Sequence, residues 1–325
     1  MKMKNKLSIL LRASVSLVLV GVLVWIFRKD IPGIAAVLKS VNLYYFLAAL
    51  LFQISAVVVV SERLRIILGV QRLKLSLGES VYLNFIGNFF NNFLPTSIGG
   101  DLVKAYYATK KSARKLESFS AVFFDRFFGF LSIGLLAFLG LLLMNGRIKD
   151  PQVFWGCLVF SVVVLVTFIL FLNKTMTKAI FSGLLHLPAF QKDSKLHKLY
   201  NALNAYKEHK FVVTKVILIS LVAQVLSVVL LYCLVRGISR DISFLSLLLV
   251  MPLVSVASMI PSINGLGVRE GAFVIFLGEF IGKESAAAVS ILFLGVVLIT
   301  SFIGGVLYLF SGKLYKIPIK IKEMA

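Results

Sequence analysis

Apolar runs recur along the whole chain, separated by short polar or basic stretches. The long ones are Leu7–Phe27, Leu43–Val60, Phe119–Met144, Val153–Leu172, Phe211–Val235, Ile242–Ile260 and Ala286–Phe310. About 20 apolar residues carry a helix across a hydrocarbon core about 30 Å thick, so each run predicts a crossing. Two runs are too short for a comfortable crossing, Val81–Leu94 and Ala272–Ile281. Basic blocks flank the first on both sides, so it is expected to dip into the bilayer and return. Non-helical backbone is tolerated at that depth only where protein or a water-filled cavity covers it. The pattern predicts an all-α, polytopic membrane helix bundle of about eight transmembrane helices. Its interrupted or re-entrant segments are expected near residues 81–101 and 252–270, and residues 28–42 read as a short loop.

One polar segment departs from this pattern. In residues 173–210, Leu196, Leu199, Tyr200, Leu203 and Tyr206 recur at helical spacing among lysines. That predicts an amphipathic helix on the cytoplasmic membrane surface. No stretch is long and polar enough for a separate soluble domain, so residues 1–325 read as one membrane domain.

Composition agrees, with 59% hydrophobic residues. The net charge of +21 raises the question of nucleic acid. Placement answers it: 25 of the 35 Lys and Arg residues fall in five blocks, 1–12, 61–78, 104–115, 173–215 and 313–322, each beside an apolar run. That is the positive-inside pattern, and it predicts a multi-pass cell-membrane protein with both termini cytoplasmic. The partners expected are anionic membrane lipids, which such blocks attract, and not nucleic acid. Homo-oligomerisation is left open. The first run ends in Trp25-Ile26-Phe27-Arg28-Lys29 without a small-residue cleavage site, so it reads as a retained helix. Cys157 and Cys233, the two cysteines, lie in apolar runs and predict no disulfide framework.

Two segments place polar residues where membrane helices avoid them. In the first, Asn84, Asn88, Asn91 and Asn92 stand at i, i+4, i+7 and i+8, so a helix sets four amides on one face. Such a stripe serves either as interhelical hydrogen bonding or as the lining of a cavity. Pro95 then ends the helix, and Gly99 and Gly100 free the backbone to turn. A new helix is expected near Asp101, which reads as an N-cap or as the mouth of an anion site, with Lys104 one turn on. The second segment repeats this grammar with Pro261, Asn264, Gly265, Gly267, Arg269 and Glu270, and Pro95–Gly99 matches Pro261–Gly265 in spacing. Paired interruptions of this kind point to the central site of a transporter. Arg269 in a first helical turn opposes the macrodipole and needs a negative partner, either Glu270 or a lipid phosphate. Asp125 and Arg126 lie inside an apolar run, where charged residues face a partner or a cavity, or snorkel to the interface.

The stretch Asn88–Asp101, the Asp125-Arg126 pair and Gly265-Leu266-Gly267-Val268-Arg269-Glu270-Gly271 together resemble the lysylphosphatidylglycerol synthetase transmembrane region, a flippase-like integral membrane family. The resemblance covers essentially the whole chain. It implies lipid flipping by the membrane region, with aminoacyl transfer left to a soluble domain that larger members carry. That domain is not expected here, since the sequence reaches Ala325 shortly after the last run.

Other chemistry finds little support. Gly265-x-Gly267 lacks the third glycine and the βαβ context of a dinucleotide site, and no phosphate-cradling P-loop motif occurs. His186, His197 and His209 lack metal-ligand spacing. No cofactor, metal or catalytic residue is expected, and the chain reads as a non-enzyme. The expected function is a transporter that moves a phosphate-bearing lipid, a phospholipid or a polyprenyl phosphate, between leaflets. The alternatives are a membrane-embedded lipid transferase, with Asp101 or Glu270 as base, and a membrane scaffold acting through residues 173–210.

Overall fold

In a computed structural model, the described residues are 31–93, 99–112, 115–144, 151–173, 206, 209–260 and 265–310. Among them there is helix and no strand. The helices are α1 (Ile31–Lys39), α2 (Leu43–Val70), α3 (Leu77–Phe93), α4 (Gly99–Ser112), α5 (Lys115–Met144), α6 (Pro151–Leu172), α7 (Lys210–Gly237), α8 (Phe244–Ala257), α9 (Val268–Ala272), α10 (Gly278–Ile281) and α11 (Lys283–Phe310). A π-helical turn, Phe273–Leu277, joins α9 to α10. Among the described residues, four helices are long and apolar enough to cross a membrane: α2, α7, α11 and, over Leu116–Leu143, α5. The first apolar run and most of the amphipathic segment 173–210 lie outside the described residues.

The interruptions fall where the hydropathy pattern sets them. α8 has 14 residues, which rise about 21 Å, against a core of about 30 Å. α3 is described as far as Phe93 and α4 from Gly99, with Gly100 lying back against Gly87 of α3; α8 stops at Ala257 and helix resumes at Val268. α8 buries residues on every side, including Ser246 to Pro252 and Val254. A helix apolar all round belongs inside a bundle.

Two expectations need correction. Residues 28–42 are not simply a loop, because Ile31–Lys39 form α1. Pro32 suits the first helical turn, where its missing N–H costs nothing, and Ile34, Val37 and Leu38 pack with Val274, Ala287 and Ala288. The second apolar run, Leu43–Val60, is only part of its helix, and the basic block that follows it does not end it. α2 runs on to Val70, and Arg63 within it is buried rather than facing headgroups.

The chain divides into two compact units. One takes residues up to Ser55, Tyr82–Val103 and those from Leu226 onward; the other takes Ala56–Val81 and Lys104–Val225. The core of the second comprises Leu64, Ile67, Leu68, Phe124, Phe128, Leu131, Val213 and Val216, with Tyr206 packed among them. The Tyr206 ring lies 4.3 Å from that of Phe124, centroid to centroid, and its hydroxyl donates to the Ile67 carbonyl at 3.1 Å. Burial pushes this phenol's pKa up, because desolvation penalises the phenolate.

In the first unit, α11 is the spine. It packs against α1, α9, the π turn and α10, while α8 packs against α9 and the π turn. α3 docks on its C-terminal half at Gly304 and Gly305. A Cβ on Gly304 would overlap the Phe85 carbonyl oxygen, and one on Gly305 would fall 2.8 Å from the Phe89 ring. Two bare Cα positions let the backbones approach this closely, as small residues do at membrane helix contacts.

Candidate functional site

The polar face of α3 is built by the spacing of its asparagines, and the structure sets the four amides in different surroundings. Asn84 and Asn91 are buried, whereas Asn88 and Asn92 are half-buried. The Asn91 Oδ1 accepts the Gly100 backbone N–H at 2.8 Å. This capping across the interruption satisfies one of the donors that every helix N-terminus exposes. It needs glycine at 100, since a Cβ there would overlap the Gly87 carbonyl oxygen. Asn92 donates to the Asn88 carbonyl at 3.0 Å and also to the Ser301 hydroxyl of α11. α4 begins at Gly99, so Asp101 sits inside the first turn rather than at the N-cap. A carboxylate there suits the helix dipole. Asp101 and Lys104 are both buried; they fall in different units of the chain. Pro95, between the two helices, lies outside the described residues.

The second interruption presents its charges differently. Pro261 and Asn264 lie outside the described residues. Gly265 and Gly267 take φ of 77° and 85°, values that L side chains rarely adopt. The Gly267 turn brings its N–H within 2.6 Å of the Glu270 Oε2. The other oxygen, Oε1, accepts from Arg269 Nη2 at 2.8 Å and Nε at 3.2 Å. The guanidinium is buried, with its Cζ 5.4 Å from the centroid of the Phe293 ring on α11. Phe273, which opens the π turn, packs on the same ring at 5.1 Å. π turns are rare and frequently mark functional positions. Glu270 is therefore the partner that Arg269 required.

Both interruptions meet α11. Asn92 reaches Ser301 and Arg269 lies over Phe293. These positions are eight residues apart, about 12 Å along the helix axis. The middle of α11, which spans Lys283–Phe310, falls between them. A helix of 28 residues is about 42 Å long, so both contacts sit near the centre of a membrane-length helix.

The second unit holds a separate charged pair. Arg63 Nε meets the Asp125 Oδ1 at 2.7 Å, with side chains 7% and 6% exposed. Arg63 Nη1 also donates to the Ser220 hydroxyl at 3.2 Å, joining α2, α5 and α7. Asp125 thus faces a partner rather than the interface, and Arg126 beside it is half-buried. A second polar link, Gln224 Nε2 to the Ser132 hydroxyl at 3.4 Å, joins α5 and α7 again.

Sequence reasoning did not single out Arg63, Ser220, Phe293, Ser301 or Gly304. Some signals were present. Ser301 and Gly305 form a small-xxx-small pair, a spacing typical of close helix contacts. Arg63 is followed by Leu64, Ile66, Ile67 and Leu68, which continue the apolar pattern past it. Nothing marks Phe293 among the many aromatics.

Interrupted half-helices, a buried arginine and an amide face inside a bundle of membrane-length helices define a polytopic α-helical membrane protein. The chain matches the family described as the lysylphosphatidylglycerol synthase TM region over residues 9–305, and it belongs to that family. It is thereby a multi-pass membrane protein of lipid-related function. No curated protein matches the chain.

Proposed function

We propose that the protein moves a phosphate-bearing lipid, a phospholipid or a polyprenyl phosphate, between the leaflets of the cell membrane. Both termini are cytoplasmic in this reading, and the basic blocks draw anionic headgroups to that face. The observation that carries it is the meeting of both interrupted segments with the middle of α11, at Ser301 and Phe293. A charged headgroup crosses hydrocarbon only very slowly unaided, because an uncompensated charge there is very costly. Amides and a guanidinium held at mid-depth substitute for water along the way, as the ends of broken helices do in transporters. A lipid transferase would use a carboxylate free to take a proton from the acceptor. Both oxygens of Glu270 are engaged, which disfavours that role.

The test is headgroup translocation in proteoliposomes, using a fluorescent phospholipid and a fluorescent polyprenyl phosphate. Wild type is expected to accelerate one class. Arg269→Ala is expected to slow it roughly tenfold to hundredfold, what losing a charge-assisted hydrogen bond of about 1.5–3 kcal/mol implies. Folded protein that accelerates neither lipid would refute the proposal.

A further inference from the structure

The Arg269–Glu270 pair is an odd use of a buried arginine. Adjacent residues on a helix point about 100° apart and do not face one another, so the two side chains must curl together to meet. A guanidinium offers five N–H donors in a planar fork and is strongest when two parallel bonds reach two oxygens. Here Nε and Nη2 both converge on the single oxygen Oε1 of Glu270. The second oxygen is spent on the Gly267 N–H. The arginine side chain is 9% exposed and that of Glu270 13%. Besides the Phe293 ring, a deeply buried cation is thus held by half of one carboxylate, in a geometry that leaves the fork under-used.

We propose that Glu270 is a built-in competitor for the anion that Arg269 binds, an inference that rests on the transport reading above. The carboxylate occupies the position a phosphate would take: it neutralises the guanidinium and takes the Gly267 N–H. An arriving phosphate offers several oxygens to the same donors and matches the fork better, so it displaces Glu270 from Arg269. Displacement keeps the buried arginine from ever standing uncompensated. It also weakens net binding, because the energy of the resting pair is lost on entry. A carrier gains from this, since its substrate must leave as readily as it arrives.

The shared ligand chemistry is a phosphate oxyanion, which either a lipid headgroup or free phosphate supplies. The experiment titrates the detergent-solubilised full chain, by calorimetry, with short-chain phosphatidylglycerol and with inorganic phosphate. The variants are wild type, Glu270→Gln, Glu270→Asp and Arg269→Ala. Gln keeps an oxygen for the Gly267 N–H while removing the charge, and Asp keeps the charge while drawing it back by one methylene. Both are expected to bind the short-chain lipid more tightly than wild type, Glu270→Gln by about tenfold, or about 1.4 kcal/mol. A merely structural Glu270 would show unchanged or weaker binding in both variants, and that result overturns the proposal. Should only one variant fold, its affinity decides the matter in the same way. Loss of binding in Arg269→Ala without any gain in the Glu270 variants sinks the competitor alone. Full binding in Arg269→Ala sinks the transport site with it. Tightening for the lipid but not for inorganic phosphate assigns the site to a headgroup; equal tightening for both assigns it to a free anion and overturns the lipid reading.

Discussion

Arg63→Ala is expected to destabilise the protein by about 3–5 kcal/mol, the usual cost of stripping one partner from a buried ion pair. The loss arises less from the attraction forgone than from what remains. Asp125, with its side chain 6% exposed, would be left charged among Phe124, Phe128 and their neighbours. The Ser220 hydroxyl would lose its donor as well. Replacing both partners with leucine, Arg63→Leu with Asp125→Leu, removes the uncompensated charge and is expected to recover most of the loss, because apolar substitutes for a buried pair are often neutral or better. Unfolding in detergent, followed by helical circular dichroism, gives both values. A single variant as stable as wild type would show that water reaches the pair and that the three helices do not depend on it.

The second large effect is expected at Gly304. Added methylenes in a packed interior usually cost about 1–3 kcal/mol, because side chains can shift aside. At Gly304 the obstacle is the backbone carbonyl of Phe85, which can move only if α3 moves with it. Gly304→Leu is therefore expected to exceed that range, separating α3 from α11 and breaking the Asn92–Ser301 link. The matched control is Gly69→Leu on α2, where a Cβ meets nothing within 4 Å. Leucine there improves helix propensity and is expected to leave stability unchanged or slightly raised. Yield of monodisperse protein and melting temperature for the pair measure the difference. Equal behaviour of the two variants would mean that α3 and α11 do not pack as described.

Much of this fold was legible in the sequence, for a simple physical reason. The bilayer sets a length, so α5, α7 and α11 could be bounded to within a few residues from hydropathy alone. The two interruptions were legible because Pro95, Gly99, Pro261 and Gly265 are residues that end or redirect helices. The end of α2 was hidden. Arg63 reads as a basic boundary unless its partner is known, and Asp125 stands 62 positions further along. α1 was hidden because nine residues containing Pro32 and Gly33 carry a weak helical signal and gain their stability from packing on α11.

The site was legible in part. The one-face grouping of the four asparagines follows from their spacing, but their division of labour does not. Asn91 caps Gly100 and Asn92 bridges to Ser301, and both roles depend on where another segment lies in space. The pairing of Arg269 with Glu270 was foreseeable from charge balance. The π turn that follows, and the placing of Phe293 under the guanidinium, depend on tertiary packing that no local pattern encodes.

The central claim, that a headgroup passes along amides and a guanidinium held at mid-depth, requires the polar face of α3 to line an accessible polar path, and thiol labelling at Asn88 tests it most directly. Asn88→Cys would be introduced after both native cysteines, buried in the fold, are changed to alanine. Its reaction with a membrane-impermeant thiol reagent is compared with that of Phe302→Cys, a position 67% exposed on α11 beside Ser301. Asn88→Cys is expected to react at least about tenfold faster, because polar positions inside membrane proteins face water-filled cavities while apolar ones face lipid. Labelling at 88 no faster than at 302 would leave the amide stripe as interhelical glue and contradict the account.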